Sequence, residues 1–242
     1  TAGVNNVAPV GSYDMFTSKF DALGNQVFNV ICTGRIFSKT IEISPFSEII
    51  VSGSFLGTID FDPGAGVTSL IGSDDVFLQR LDLNGNFLDV KKIGSSSGNI
   101  EISDLEIDGN GNVYLTGSLN AFGDFDPGPG TFTLTTAGSE DVFVAKYDFN
   151  LDFIWAKNFG GSSSDYPRDI ALSNSGIFTT GYFLSTADFD PSASNFNLTS
   201  AGLNDVFIHK LDFNGNFVSA YQLGTINTDI GYGIHCRGDK IG

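Results

Sequence analysis

The chain has 242 residues, with 12 basic side chains against 28 acidic ones, and its formal net charge is −16 at pH 7. Such a charge repels phosphate backbones and anionic bilayers, and no apolar run is long enough to span a membrane. We therefore expect neither nucleic-acid binding nor membrane insertion. Phe (23 residues) and Gly (30) are abundant, a balance typical of aromatic strands separated by glycine turns rather than of helical bundles.

One strand pattern recurs four times along the chain. Each copy opens with Asp, a hydrophobic residue and Phe, and ends with a basic residue and an acid. The copies begin at Asp14, Asp75, Asp141 and Asp205, at intervals of 61, 66 and 64 residues. A nearly fixed period of this size indicates one supersecondary unit repeated in an array.

The best-preserved copy predicts four strands in chain order. The first two strands span 168–173 and 177–184, and the last two span 205–211 and 217–223. Asn-Gly steps between such β-rich runs favour tight hairpin turns, and no segment shows a convincing helical period of apolar residues. The sequence therefore predicts an almost wholly β chain, with no helix longer than about two turns.

Four antiparallel strands per repeat favour a β-propeller, in which each repeat forms one blade. Many of the predicted strands are apolar on both faces, which favours blades stacked face to face over a simple sandwich. A β-solenoid is the structural alternative, although its rungs are normally far shorter. About four repeats of roughly 64 residues are visible. We divide the chain into strands three and four of a first blade, three successive repeats and the start of a last blade: 1–34, 35–94, 95–160, 161–224 and 225–242.

Both ends of the chain cut through a repeat. Thr1-Ala2-Gly3 is similar to 136–138, which precedes strand three, and 240–242 correspond to the start of strand two. The terminal half-blades could pair and close a four-bladed ring, or the chain could belong to a larger propeller. We favour the larger ring, and the number of blades stays open.

The two cysteines are too few for a disulfide scaffold or a metal knuckle. Cys32 stands where another copy has Phe159, and Cys236 stands where another copy has Leu172, so both replace core hydrophobes. Cys236 is predicted on strand one, near the propeller axis, and Cys32 at the end of strand four, at the rim. This separation exceeds the reach of a disulfide, so we expect no bridge.

The tetrapeptide Asp-Phe-Asp-Pro follows strand two at 60–63, 124–127 and 188–191, always 64 residues apart. It favours a tight turn, in which Asp accepts backbone N–H bonds, Pro fixes φ and Phe anchors the loop. The alternative is a Ca²⁺ site, but one loop supplies fewer than the about six to eight oxygens that calcium needs. We therefore expect no cofactor, with calcium as the alternative. Its candidate ligands are the paired carboxylates Asp60, Asp62, Asp124, Asp126, Asp188 and Asp190.

The two histidines, His209 and His235, occupy repeat positions that vary between copies. Neither has a partner at a local spacing suited to metal binding or to general-base catalysis. The sequence therefore assigns them no chemical role.

The segment 141–148, Asp-Val-Phe-Val-Ala-Lys-Tyr-Asp, and the following 153–166 together resemble the SBBP-type β-propeller repeat, as do 169–172 and 180–183. The resemblance covers nearly the whole chain and is loosest over its first 60 residues. It implies a secreted or cell-surface bacterial protein, often of the Bacteroidetes type, whose polypeptide commonly carries other domains. The family has no shared catalytic motif to transfer.

These observations favour a non-catalytic module outside the cell or at its surface, which binds a protein, carbohydrate or cation ligand or spaces other domains. The loops between strands two and three, and between strands four and one, should emerge on one acidic face. The residues expected to contact a ligand there are Asp124, Asp126, Asp165 and Tyr166. The alternative is an extracellular polysaccharide hydrolase or lyase using two carboxylates of that face, which an unrepeated acid in the central channel would favour.

Overall fold

The structure, a computed structural model, describes residues 13–94 and 99–242, so Thr1-Ala2-Gly3 lies outside the described residues. Every regular element in these ranges is a β-strand, which confirms the all-β prediction. The same ranges therefore contain no long apolar helix of the kind that crosses a membrane.

The strands form antiparallel sheets in chain order. A two-stranded sheet comes first, followed by a four-stranded sheet, here called sheet 1. Their strands are β1 (Met15–Phe20) and β2 (Gln26–Cys32), then β3 (Arg35–Ile43), β4 (Glu48–Asp60), β5 (Ser69–Asp82) and β6 (Phe87–Ile93).

Sheet 2 repeats the arrangement of sheet 1 with β7 (Asn99–Ile107), β8 (Val113–Asp124), β9 (Thr133–Tyr147) and β10 (Phe153–Gly161). Two short strands, β13 (Thr186–Asp188) and β14 (Asn197–Thr199), extend it beyond β10.

Sheet 3 contains β11 (Tyr166–Ser173), β12 (Gly176–Phe183), β15 (Asp205–Leu211) and β16 (Phe217–Leu223). A last pair, β17 (Cys236–Arg237) and β18 (Lys240–Ile241), forms its own small sheet.

Successive sheets lie against each other. The first strand of sheet 2, β7, contacts the first strands of the sheets on either side, β3 and β11, and β11 also contacts β17. Three main hydrophobic clusters lie between neighbouring sheets. On β5, Val76 and Leu78 pack toward sheet 2, whereas Phe77 packs toward β1 and β2. Both faces of this strand are therefore buried, as its apolar pattern predicts.

Strands two and three of each repeat continue past their main sheet as a two-stranded ribbon, which carries the Asp-Phe-Asp-Pro loop at its tip. The ribbons span 56–73, 122–135 and 186–199, and a register shift separates the first two from the main pairing. The third ribbon pairs with β10 of sheet 2 through Gly160↔Asp188 and Gly161↔Ala187. A ribbon therefore joins its own repeat to the preceding one.

The two cysteines are unbridged in the structure, as their repeat positions predict. Cys32 is buried in the cluster between β1–β2 and sheet 1, and this burial raises the pKa of its thiol to about 11. Cys236 lies partly exposed on β17.

Candidate functional site

The Asp-Phe-Asp-Pro loops are held by their own aspartates. In the second copy, Asp124 Oδ1 accepts the N–H groups of Asp126 at 3.1 Å and Phe132 at 2.8 Å. Asp126 Oδ1 in turn accepts the N–H of Gly128 at 2.8 Å. The other copies repeat these bonds with Asp60 and Asp62, and with Asp188 and Asp190. The predicted backbone hydrogen bonds of the tight turn are confirmed, and calcium binding stays a prediction.

The phenylalanine of each loop is fully buried, and its carbonyl oxygen accepts a hydrogen bond from a side chain of strand three. In the first copy, Gln79 Nε2 donates to Phe61 O at 2.7 Å. In the second copy, Tyr147 Oη donates to Phe125 O at 2.9 Å. Three rings, those of Phe61, Phe125 and Phe189, therefore enter the core without leaving a buried carbonyl unpaired.

In the third copy the donor is His209, to which the sequence assigned no role. Its Nε2 lies 2.9 Å from Phe189 O, so the ring carries its proton on Nε2. The imidazole is fully buried between Phe159, at 3.9 Å between ring centroids, and Phe217, at 5.6 Å. Burial lowers the pKa of His209 to about 3, so the ring is neutral at physiological pH. Gln79, at the same position of the first copy, donates the same bond, whereas the second copy has Ala145 there and uses Tyr147 instead.

The predicted ligand residue Asp165 is buried, with only 1% of its surface exposed. Its Oδ2 accepts the N–H of Gly161 at 2.7 Å, and its Oδ1 accepts that of Leu184 at 3.3 Å. Burial, together with the nearby charge of Asp141, raises the pKa of Asp165 to about 7. Both oxygens are thus used inside the protein. Its neighbour Tyr166 stays partly exposed, with its ring 5.4 Å from that of Tyr182.

The signature aspartates that open strand three, Asp75, Asp141 and Asp205, are also buried. In each copy Oδ2 accepts a hydrogen bond from a side chain of strand four, for example from Asn158 Nδ2 to Asp141 at 3.1 Å. Within the described ranges, no group of three or more acidic, His or Cys side chains is arranged to hold a metal ion. The structure therefore does not gather the aspartate pairs into one shared cation site.

Two acids lie on the first strands of the sheets, near the contacts between them. Asp104 Oδ2 accepts the N–H of Ile170 in the next sheet at 3.3 Å, and Asp169 Oδ2 accepts that of Ile234 at 2.6 Å. Burial, followed by the hydrogen bond to Asp169, raises the pKa of Asp104. The first carboxylate thus ties β7 to β11, and the second ties β11 to the segment that precedes β17.

A cleft of about 520 Å³ opens between sheets 2 and 3, beside the hairpin turns rather than the Asp-Phe-Asp-Pro loops. Its polar and apolar walls include Glu106, Asp108, Asn110, Lys146, Asn174 and Phe213. The turn 108–112 and the ribbon 122–135 lie at opposite ends of β8, so the acidic-loop prediction did not point to this cleft.

The two acids of the cleft differ in their environment. Asp108 accepts four hydrogen bonds, from the N–H groups of Asn110 and Asn112, from Asn112 Nδ2 and from Tyr114 Oη. Although burial opposes them, these bonds hold the pKa of Asp108 below its ordinary value. Glu106 is half-buried, and burial followed by the charges of Glu42 and Asp169 raises its pKa to about 7.

The cation of the cleft is engaged within the protein. Lys146 Nζ donates to Phe213 O at 3.3 Å and lies 5.1 Å from the centroid of the Tyr114 ring. The indole of Trp155 donates to the same carbonyl, also at 3.3 Å. Lys146 therefore links sheet 2 to the turn between β15 and β16.

Comparison with known proteins adds no assignment to these observations. No family model matches the chain, and no curated protein sequence matches it significantly.

We predict that Asp124→Ala destabilises the protein more than Asp126→Ala, because the first change removes two carboxylate–amide bonds and the second removes one. Each lost bond should cost about 1.5–3 kcal/mol, toward the lower end because both carboxylates are partly exposed. Urea unfolding in chelator and in calcium should give the same values. A wild-type melting temperature that rises by several degrees in millimolar calcium, with no rise in Asp126→Ala, would contradict this prediction.

We predict that His209→Gln makes the free energy of unfolding less dependent on pH. The folded imidazole has a pKa of about 3, whereas in the unfolded chain it is about 6.5. The unfolded state therefore binds an extra proton between these values, and wild-type stability falls as pH drops through that window, by up to about 1.4 kcal/mol per pH unit. Gln preserves the hydrogen-bond donor and removes this slope.

The free energy of unfolding of both proteins is measured at several pH values from 7 to about 4.5. The difference between wild type and variant is then compared across pH, because the contributions of the carboxylates that both proteins share cancel in it. The reciprocal change, Gln79→His in the first repeat, should introduce a similar slope. Parallel stability profiles for wild type and His209→Gln would show that His209 is not buried in its neutral form.

Proposed function

We propose that this protein is a non-catalytic β-propeller module of the SBBP type, which works outside the cell or at its surface. In this role it binds a polar ligand or spaces other domains of the same or a larger polypeptide. The resemblance of 141–148 and 153–166 to that repeat is the sequence basis of the proposal.

The main support for the propeller proposal is the order in which the first strands of successive sheets contact one another. The first strands β3, β7, β11 and β17 lie next to one another in chain order, each the first strand of its own sheet. Radial repetition of four-stranded units produces this order, with a hydrophobic layer between each pair of blades. The three clusters between successive sheets fit that expectation.

The exposure of Phe16 on β1 also supports a ring. Phe16 is 65% exposed, whereas Phe77, Phe143 and Phe207, at the same repeat position, are at most 1% exposed. In these three copies strand two pairs with strand three, and the Phe of the ribbon contacts this ring. We infer that a further strand two and its ribbon cover β1 in the complete ring. Strands β1 and β18 do not pair with each other in the structure, because they belong to separate sheets.

The carboxylates support a binding or spacing role over catalysis. A glycosidase needs a general acid and a second carboxylate that acts as nucleophile or base. Glu106, with a pKa of about 7, has the character of an acid. Its neighbour Asp108 accepts four hydrogen bonds and lacks a free lone pair for the second role. The polysaccharide hydrolase therefore stays the alternative, and Glu106 is the residue that favours it.

A turnover assay separates the two functions. The purified protein is incubated with a panel of neutral and acidic polysaccharides, and released reducing ends and unsaturated products are measured. We expect no product above the level of a Glu106→Gln control. Turnover of any polysaccharide that this substitution abolishes would replace the proposed function with the hydrolase or lyase.

A further inference from the structure

The contact between sheets 1 and 2 is capped by an aromatic side chain at its hairpin-turn end. Phe46, in the turn between β3 and β4, packs edge-on against Phe149 of sheet 2, at 4.6 Å between ring centroids. Its ring also lies against Gly111, where a Cβ would overlap it. Arg80 completes the cap, because its guanidinium lies 4.6 Å from the Phe149 centroid and binds both oxygens of Glu48.

The contact between sheets 2 and 3 breaks this pattern. The repeat places Asn110 at the position of Phe46, Lys146 at that of Arg80, and Asn112 at that of Glu48. Phe213 occupies the position of Phe149 and packs against Tyr114 of β8, at 6.1 Å between ring centroids, rather than against a residue of the turn. The cleft of about 520 Å³ lies here, lined by both Asn110 and Phe213. The contact between sheets 2 and 3 thus has a cleft where the contact between sheets 1 and 2 has an aromatic cap.

We propose that this cleft binds a short neutral saccharide, an inference that rests on the proposed binding function and names its site. Its volume lies within the range of about 300–1,000 Å³ typical of small-ligand sites. The amide side chains of Asn110 and Asn174 can both donate and accept hydrogen bonds, as sugar hydroxyls require. Phe213 and Leu172 supply apolar surface for the C–H faces of a sugar ring.

The charges of the cleft select against ionic ligands. Glu106 and Asp108 oppose an anion. A cation meets the charge of Lys146, and the oxygens of Asp108 already accept four hydrogen bonds within the protein. A neutral ligand with many hydroxyls avoids both repulsions and can still use Glu106 as a hydrogen-bond partner. The cleft therefore suits a neutral carbohydrate, and ligand binding at the aspartate loops stays a prediction.

The contact between sheets 1 and 2 suggests a substitution that should block the cleft. Asn110→Phe places at the second contact the residue that caps the first one, so it should fill the cleft without lowering the melting temperature. Asn150→Phe is the matched control, because it adds the same ring to an exposed turn of the same sheet that does not line the cleft. Asn174→Ala is a second variant that removes an exposed lining amide and leaves the cleft open.

Saturation-transfer difference NMR measures binding of neutral disaccharides (cellobiose, maltose and di-N-acetylchitobiose), with a galacturonic acid dimer and a glucosamine dimer as charged probes. We expect wild type and Asn150→Phe to bind at least one neutral probe. Asn110→Phe should weaken that binding by about tenfold or more, and Asn174→Ala should weaken it as well.

Three outcomes would overturn the inference: no neutral probe binds, binding is unchanged in both Asn110→Phe and Asn174→Ala, or a charged probe binds more tightly than every neutral one. None of them contradicts the proposed non-catalytic function, which fails only if the turnover assay finds products that Glu106→Gln abolishes. If Asn110→Phe does not fold, Asn174→Ala alone decides the location of the site.

Discussion

A buried phenylalanine at the tip of each ribbon is the contact on which the rest of the structure depends. Phe189 packs against Phe159 of β10 and Phe207 of β15, 5.5 Å from each, so one ring joins two successive sheets. Burying such a ring stabilises the fold by roughly 1.5–3 kcal/mol. Leaving its carbonyl unpaired would cost about 1–3 kcal/mol, which is why each copy provides a donor such as His209.

The need to bury and pair the Phe of each ribbon explains why the residues repeated around it serve the fold. The residues that recur in every copy, such as Asp124 and Asp141, form hydrogen bonds inside the fold. One residue that breaks the repeat, Asn110 in place of Phe46, lines the cleft between sheets 2 and 3, away from the aspartate loops.

The local structure of this chain follows from its sequence more directly than the tertiary placement of its side chains does. The strands 205–211 and 217–223 have their predicted bounds, because Asn-Gly turns and apolar runs are local signals. The buried position of Asp165 and the donor role of His209 were not predicted, since each depends on a partner brought close only by folding. The cleft was missed for the same reason: Asn110 lies in an ordinary turn until Phe213 of the next sheet is placed opposite it.

We expect the aspartate loops to close without a metal ion, through hydrogen bonds from backbone N–H groups to their own carboxylates. Hydrogen exchange at the amides of Thr68, Phe132 and Phe196 tests it directly, because each donates to the first aspartate of its loop. The account predicts that these amides exchange slowly in the presence of a chelator and at the same rate after calcium is added. Rapid exchange in chelator, with protection only when calcium is bound, would contradict it and make the loops metal sites.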